Sequence, residues 1–202
     1  MMERVADQQK IDPRIKRTRQ LLRQALMALM MEKSFQAITV QDIASRATVN
    51  RVTFYAHFED KYALLEDTMR TMFQERLRGA LPDGSRLTPE NLARLIELVA
   101  VTVTEFAAHC PPPRGQFDTL MEKQVKDAVY QTLRGWLAER PNGRARPHPT
   151  LDQVATIASW AIYGAAVEWS KNDRRVPAVE FAQQVLPLIM ASLTRQWANG
   201  NW

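Results

Sequence analysis

The sequence predicts an all-α protein, and three observations carry that prediction. Leu, Ala, Met, Gln, Arg and Glu dominate the 202 residues and there are only 7 Gly, a composition that favours helix. Apolar residues recur at i, i+3, i+4 spacing in one stretch after another, and no run alternates apolar and polar residues as a half-buried strand would. A hydrophobic fraction of 46% beside 24% charged residues is ordinary for a globular chain of one large domain or two small ones.

The elements follow in order. Residues 1–13 lack apolar periodicity and are expected to form a flexible tail. From Ile15 to Met31, Leu22, Ala25, Leu26, Leu29 and Met30 mark a first helix, ended by Ser34 and Phe35. "ITVQDIASRATVNRVTFYAHF" then holds two short helices. Thr39 caps the first, with Asp42 in a capping-box position, and Val40, Ile43, Ala44 and Ala47 form its buried stripe. The turn Thr48-Val49-Asn50 follows, with Asn50 as N-cap of a second helix ending near Phe58. Asp60 caps a longer helix carrying Leu64, Leu65, Met69, Met72 and Phe73. Two short helices joined by a tight turn and braced by longer ones is the helix-turn-helix plan, placed at residues 14–60 with a connecting helix at 61–78.

"GALPDGSRLTP" marks the next boundary. Beyond it, Leu92, Leu95, Ile96, Val99, Val103, Phe106 and Cys110 follow helical spacing up to the breaker "CPPPRG". Further helices are expected at Asp118–Ala138, Leu151–Lys171 and Val179–Trp197, the last with Pro177 at its first position. Residues 79–202 thus read as a helical regulatory and dimerisation domain.

Several classes of function are set aside. One cysteine, Cys110, allows no disulfide within the chain and fits a reducing compartment. The polar start reads as no signal peptide, and Val154–Val167 is too short to span a bilayer, so a cytoplasmic protein with no membrane association is expected. Three His, with no Gly-rich phosphate loop and no metal-ligand spacing, speak against an enzyme, a metal site or a cofactor. His109 beside Cys110 lacks the further ligands a metal needs.

The charge is uneven. Between residues 13 and 58 stand Arg14, Lys16, Arg17, Arg19, Arg23, Lys33, Arg46 and Arg51 against Glu32 and Asp42; residues 79–202 hold thirteen bases and twelve acids. A basic front on a nearly neutral remainder points to a polyanion-binding module joined to something else. The segment "RVTFYAHFEDKYALLE" sharpens this. In a helix from Asn50, Phe54 and Phe58 lie one above the other and face the core. Asn50, Arg51, Thr53, Tyr55 and His57 are left outward, all hydrogen-bonding side chains suited to phosphates and base edges. Lys61 opens the next helix, where the macrodipole disfavours a cation unless a phosphate joins it there.

"TVQDIASRATVNRVTFYAHFEDKYALL" resembles the DNA-binding segment of the TetR/AcrR family of one-component transcriptional regulators, from about Thr18 to Leu65. Thr39-Val40, Asp42-Ile43-Ala44, Ala47, Thr53-Phe54-Tyr55, His57-Phe58, Lys61 and Leu64-Leu65 carry the resemblance. It implies about nine helices in all, with Asn50–Phe58 in the major groove of duplex DNA. Thr39, Tyr55, His57 and Lys61 would then hold phosphates and Asn50, Arg51, Val52 and Thr53 would read base edges. Family members often have Gly where this chain has Thr48 and Ser34. The resemblance further implies a homodimer in which the last two helices form a four-helix bundle with their twins. Ala161, Gly164 and Ala165 would allow close approach, and Val185, Leu186, Ile189, Met190 and Leu193 would line the closing helix. A small-molecule effector would sit among the middle helices, with Phe106, Phe117, Met121, Tyr130, Trp136, Trp160 and Tyr163 as candidate lining. The implied function is a repressor released from a pseudo-palindromic operator by that effector. The alternative is a ligand-independent DNA-binding regulator controlled by a protein partner.

Overall fold

A computed structural model of the chain describes residues 12–109, 116–139, 150–172 and 176–198. Among them are eight α-helices and one 3-10 turn, in the order α1 (Pro13–Glu32), the 3-10 turn (Phe35–Ala37), α2 (Val40–Arg46), α3 (Arg51–His57), α4 (Lys61–Ala80), α5 (Pro89–His109), α6 (Gln116–Ala138), α7 (Leu151–Ser170) and α8 (Ala178–Ala198). The all-α expectation holds, with no strand among the described residues. The tail (residues 1–11), Cys110 and the breaker at 140–149 lie outside them. The chain divides into two compact units between Thr68 and Met69, so α4 begins in the first and ends in the second.

The first unit has a small core and many polar fastenings. Leu22, Ala25, Leu26 and Leu29 form the buried stripe of α1, and Phe35, Ile38, Ile43, Ala44, Ala47, Phe54, Phe58, Leu64 and Leu65 are buried in the same unit. Asp12 Oδ1 accepts from the Arg14 amide at 2.8 Å, with Pro13 opening α1, the arrangement Pro favours because it has no N–H to leave unsatisfied. The capping box at α2 forms as its sequence predicts: the Thr39 amide donates to Asp42 Oδ2 at 2.8 Å and the Asp42 amide donates to Thr39 Oγ1 at 3.1 Å. Lys33 Nζ also reaches Asp42 Oδ2, at 2.8 Å. That hydrogen bond, together with those from Thr39, lowers the Asp42 carboxyl to about 2. Arg23 Nη1 meets Asp67 Oδ2 at 2.8 Å, with the Asp67 side chain only 8% exposed, and so ties α1 to α4.

The α2–α3 turn contains Thr48 at φ 57°. This left-handed conformation suits Gly and is a true outlier for a β-branched residue. The glycine that members of the resembled family often have at this position is thus the residue the backbone asks for. Ser34, with φ −60°, makes no such demand.

The second unit is an apolar helix pack. Leu92, Leu95, Ile96, Val99 and Ala100 of α5 share a core with Val125, Val129 and Leu133 of α6, Ala155, Ala158, Ile162 and Ala166 of α7, and Ala182 of α8. Thr150 and Gln153 cap α7 reciprocally. At its far end the Trp169 indole N–H donates to the Val176 carbonyl at 3.1 Å, and its ring stacks on Phe181 at 5.1 Å. Pro177 stands one residue before α8 rather than at its first position, accepting the Phe181 amide at 2.9 Å.

Four of the expected site residues are buried within the protomer. Ile189 and Leu193, expected to face a second copy, are buried within their own protomer. Met121 and Trp136, expected to line a ligand cavity, are 3% and 5% exposed and fill the core. α8 is apolar around most of its surface, so spacing alone did not say which side meets α5.

Candidate nucleic-acid interface

The helix α3 is positioned from both ends by local chemistry. The Thr53 amide donates to Asn50 Oδ1 at 2.7 Å, satisfying an orphan N–H of the first turn. Phe54 and Phe58 point inward and pack at 6.2 Å between ring centroids. Because those two are committed to the core, Arg51, Val52 and Tyr55 are turned to solvent, while Thr53 and His57 are half-buried. Val52 is 78% exposed, a cost in apolar surface that nothing within the unit recovers. Arg51 lies loosely over the Tyr55 ring, at 5.9 Å.

The expected site residues therefore divide. Arg51, Val52, Thr53, Tyr55 and His57 share one helix and stay available to a partner. Asn50 uses its side-chain oxygen as the N-cap, which leaves its amide N–H groups to donate. The Thr39 hydroxyl accepts from Asp42 and keeps its own O–H to donate. Lys61 departs furthest from expectation. Its ammonium donates to the carbonyls of Phe35 at 3.0 Å, Gln36 at 3.1 Å and Ile38 at 2.7 Å, and lies 4.7 Å from the Phe35 ring centroid. The conflict with the α4 macrodipole is met inside the protein. The side chain turns back onto carbonyls, and Asp60 Oδ1 accepts the amides of Tyr62 and Ala63 at 2.8 and 2.7 Å. Burial lowers the Lys61 pKa.

The basic front is also thinner than a residue count implies. Arg23 pairs with Asp67, Lys33 with Asp42, and Arg46 with Glu32 through two bonds of 2.9 and 2.7 Å. Sequence reasoning did not single out Arg19. Its guanidinium stands 4.8 Å from the Phe58 ring centroid, and its Nε is buried with no hydrogen-bond partner among the described residues. Burial, and then the charge of Arg19, lower the His57 pKa. The available signal was spacing: Arg19 precedes Leu22 and Leu26 by three and seven residues and so continues the buried stripe of α1.

In the second unit, Tyr130 and Trp160 line an open cleft of about 440 Å³ with Thr119, Glu122, Lys123, Lys126, Asp127, Thr156 and Ser159. Lys126 Nζ sits 3.2 Å from the Trp160 ring centroid and 2.6 Å from Glu122 Oε1. Tyr130 Oη donates to Asp152 Oδ1 at 2.9 Å, and Arg134 Nε donates to the same oxygen at 2.7 Å. Tyr163 is half-buried, and its hydroxyl is pushed up to about 12 by burial and then by Glu122 and Asp118. Phe106 packs partly buried against the core; the Phe117 side chain lies outside those described. No helix among the described residues is long and apolar enough to cross a membrane.

Residues 22–68 match the family model described as "Bacterial regulatory proteins, tetR family". The chain is 35% identical over 103 residues to the uncharacterized HTH-type transcriptional regulator YxbF of Bacillus subtilis (strain 168), a match covering 50% of this chain and 26% of that protein. It is 28% identical over 128 residues to the uncharacterized HTH-type transcriptional regulator YdeS of the same strain, covering 60% and 62%. The chain thus spans less than two thirds of either relative. Its fold is similar to that of the transcriptional regulator FadR from Bacillus subtilis, solved in complex with stearoyl-CoA, with a TM-score of 0.55 over 86% of this chain and 98% of that one. At 17% identity that likeness concerns the fold alone.

Proposed function

Because the chain belongs to the tetR family of bacterial transcriptional regulators, we propose that it acts as a repressor, a homodimer whose two α3 helices enter successive major grooves of a pseudo-palindromic operator. The observation that carries this reading is the outward face of α3. An exposed Val52 beside Arg51 gives a methyl-contacting and a guanine-reading side chain on one short helix. Thr39, Asn50, Thr53, Tyr55 and His57 surround them as phosphate and base-edge partners.

Dimerisation draws support from α7. Ile157, Trp160, Ala161 and Gly164 are exposed at i, i+3, i+4 and i+7 spacing, the first two at 64% and 58%. On α8, Leu188 is 71% exposed. A Cβ on Gly164 would meet open space, so nothing within the protomer calls for glycine there, whereas close approach of a second helix would. The proposed interface keeps Ala161, Gly164, Ala165, Val185, Leu186 and Met190, gains Ile157, Trp160 and Leu188, and loses Ile189 and Leu193.

Release by a small molecule is the remaining part. The cleft of about 440 Å³ is of ligand size, and its mixed lining suits an aromatic or amphipathic compound bearing a charge rather than a wholly apolar one. A second reading, regulation by a protein partner without a ligand, gains support from Met121 and Trp136, which fill the body's core where a cavity was expected. Thermal-shift screening followed by competition with bound DNA separates the two. Compounds that raise the melting temperature and release DNA support the ligand switch; binders that never alter DNA affinity support the partner-driven reading.

A further inference from the structure

We propose that Arg19 on α1, together with His57 on α3, holds a backbone phosphate of the bound DNA, and that Lys61 is a positioning residue rather than a phosphate ligand. The inference rests on the DNA-binding reading and concerns which cations touch the polyanion.

An ammonium has three N–H donors and no more. Lys61 directs its ammonium at three carbonyls, those of Phe35, Gln36 and Ile38, all within 3.1 Å. To take a phosphate it would have to release at least one of them, the exposed Gln36 carbonyl at least cost, and so give up part of this clasp. What the three bonds do is join the first residue of α4 to the segment that leads into Thr39 and α2. They fix where the helix-turn-helix begins relative to the helix behind it, within the same unit.

Arg19 is the complement. Arg23, Lys33 and Arg46 are paired with acids, but Arg19 has no acceptor among the described residues, and its Nε is buried without a partner. The two guanidinium Nη groups, with no acceptor among the described residues, are left to donate to an anion arriving from outside. The Phe58 ring beneath the guanidinium, at 4.8 Å, restrains a side chain that would otherwise lose much rotamer freedom on binding. Arg14, Lys16 and Arg17 on the same helix are exposed and have no such seat. Arg19 sits over the ring of Phe58, the residue next to His57, and its charge adds to burial in lowering the His57 pKa. An anion bridging Arg19 and His57 would relieve that repulsion, accepting a planar fork from the guanidinium and an N–H from the imidazole.

The test is the salt dependence of binding to a duplex selected from a random pool with the wild-type chain, measured by fluorescence anisotropy. Each lost phosphate contact reduces the slope of log K against log[salt] by about 0.9. Arg19→Gln removes one contact from each protomer of the proposed dimer and is expected to reduce the slope by about 1.8, and Arg19→Lys to keep the slope while binding less tightly. Arg46→Gln removes the same formal charge from the same unit and is expected to leave the slope unchanged. Lys61→Met is expected to keep the slope and lose discrimination between the selected duplex and a scrambled one. Circular dichroism checks that each variant is folded. Should Lys61→Met not fold, the Arg19 and Arg46 slopes still decide the phosphate assignment, and Lys61→Gln, which keeps N–H donors for the carbonyls but no charge, decides the other half: a slope kept supports positioning, and a slope reduced as in Arg19→Gln overturns it. An unchanged slope in Arg19→Gln, or an equal loss of slope in Arg46→Gln or in Lys61→Met, overturns the proposal while DNA binding stands. A wild-type chain that shows no salt-dependent binding removes the DNA-binding reading itself, and this proposal with it.

Discussion

The two units of this chain are stabilised in different ways. The first secures short helices with polar fastenings: the Asp12 cap, the Thr39/Asp42 box, the Asn50 and Asp60 caps, the Arg23–Asp67 pair and the Lys61 ammonium. The second relies on area, with long helices closed around the apolar stripe of α5. Two seven-residue helices cannot bury enough surface to hold themselves, and the face of α3 proposed to read DNA has to stay out of the core. Geometry must then come from directional bonds. The comparison teaches that precision in the first unit resides in single polar atoms, while the second tolerates change as long as its volume is filled.

The largest expected effect tests that contrast directly. Asp67→Ala leaves Arg23 part-buried without its partner and should destabilise the first unit by about 3–5 kcal/mol, read by urea unfolding. Ile96→Val, deep in the second unit, should cost only about 0.5–1.5 kcal/mol. Equal losses would remove the contrast.

Next in size is the reading face. Arg51→Ala should relax preference at one base pair by about 1–3 kcal/mol if the contact is bidentate, measured against duplexes altered one pair at a time, with stability unchanged. A uniform loss across all sequences would make Arg51 a phosphate contact instead.

The strained turn comes third. Thr48→Gly removes a left-handed β-branched residue and should stabilise the first unit by about 1 kcal/mol, the gain being trimmed by the added freedom of Gly in the unfolded chain. A loss of stability in thermal melts would mean that the Thr48 side chain contributes a contact worth more than the strain.

The smallest effect is a pH dependence. Burial and Arg19 hold the His57 pKa below its ordinary 6.5, so the unfolded chain binds more protons than the folded one near that pH. Stability is complete above 6.5 and declines as pH falls through the folded value. A phosphate beside His57 favours the charged form, so DNA affinity should move the opposite way and rise as pH falls from 7.5 toward 6, by less than about tenfold. His57→Gln should flatten both trends; a pH response that persists in that variant would assign it elsewhere.

How much was legible follows the same divide. The caps at Thr39, Asn50 and Asp60 were readable because cap chemistry acts over two or three residues, and the Phe54/Phe58 spacing set the outward face of α3. The Arg23–Asp67 pair spans 44 residues and the Lys61–Phe35 bond spans 26, and no local pattern announces bonds of that reach. The same holds for the seat of Arg19 on Phe58. In the second unit the helix extents were readable from spacing, but not which apolar side of α7 and α8 stays open. Ile189 and Leu193 went inward and Ile157 and Leu188 outward because neighbouring helices, not periodicity, decide which face is covered.

Two copies of one outward helix face are proposed to recognise DNA by sequence. Selection of bound duplexes from a random pool with the 202-residue chain, followed by sequencing, is the decisive measurement. The account predicts an enriched pseudo-palindrome whose half-sites lie about 34–36 Å apart, one helical turn or a multiple of it. A pool left without any enriched sequence, although the chain is folded and retained, would contradict it.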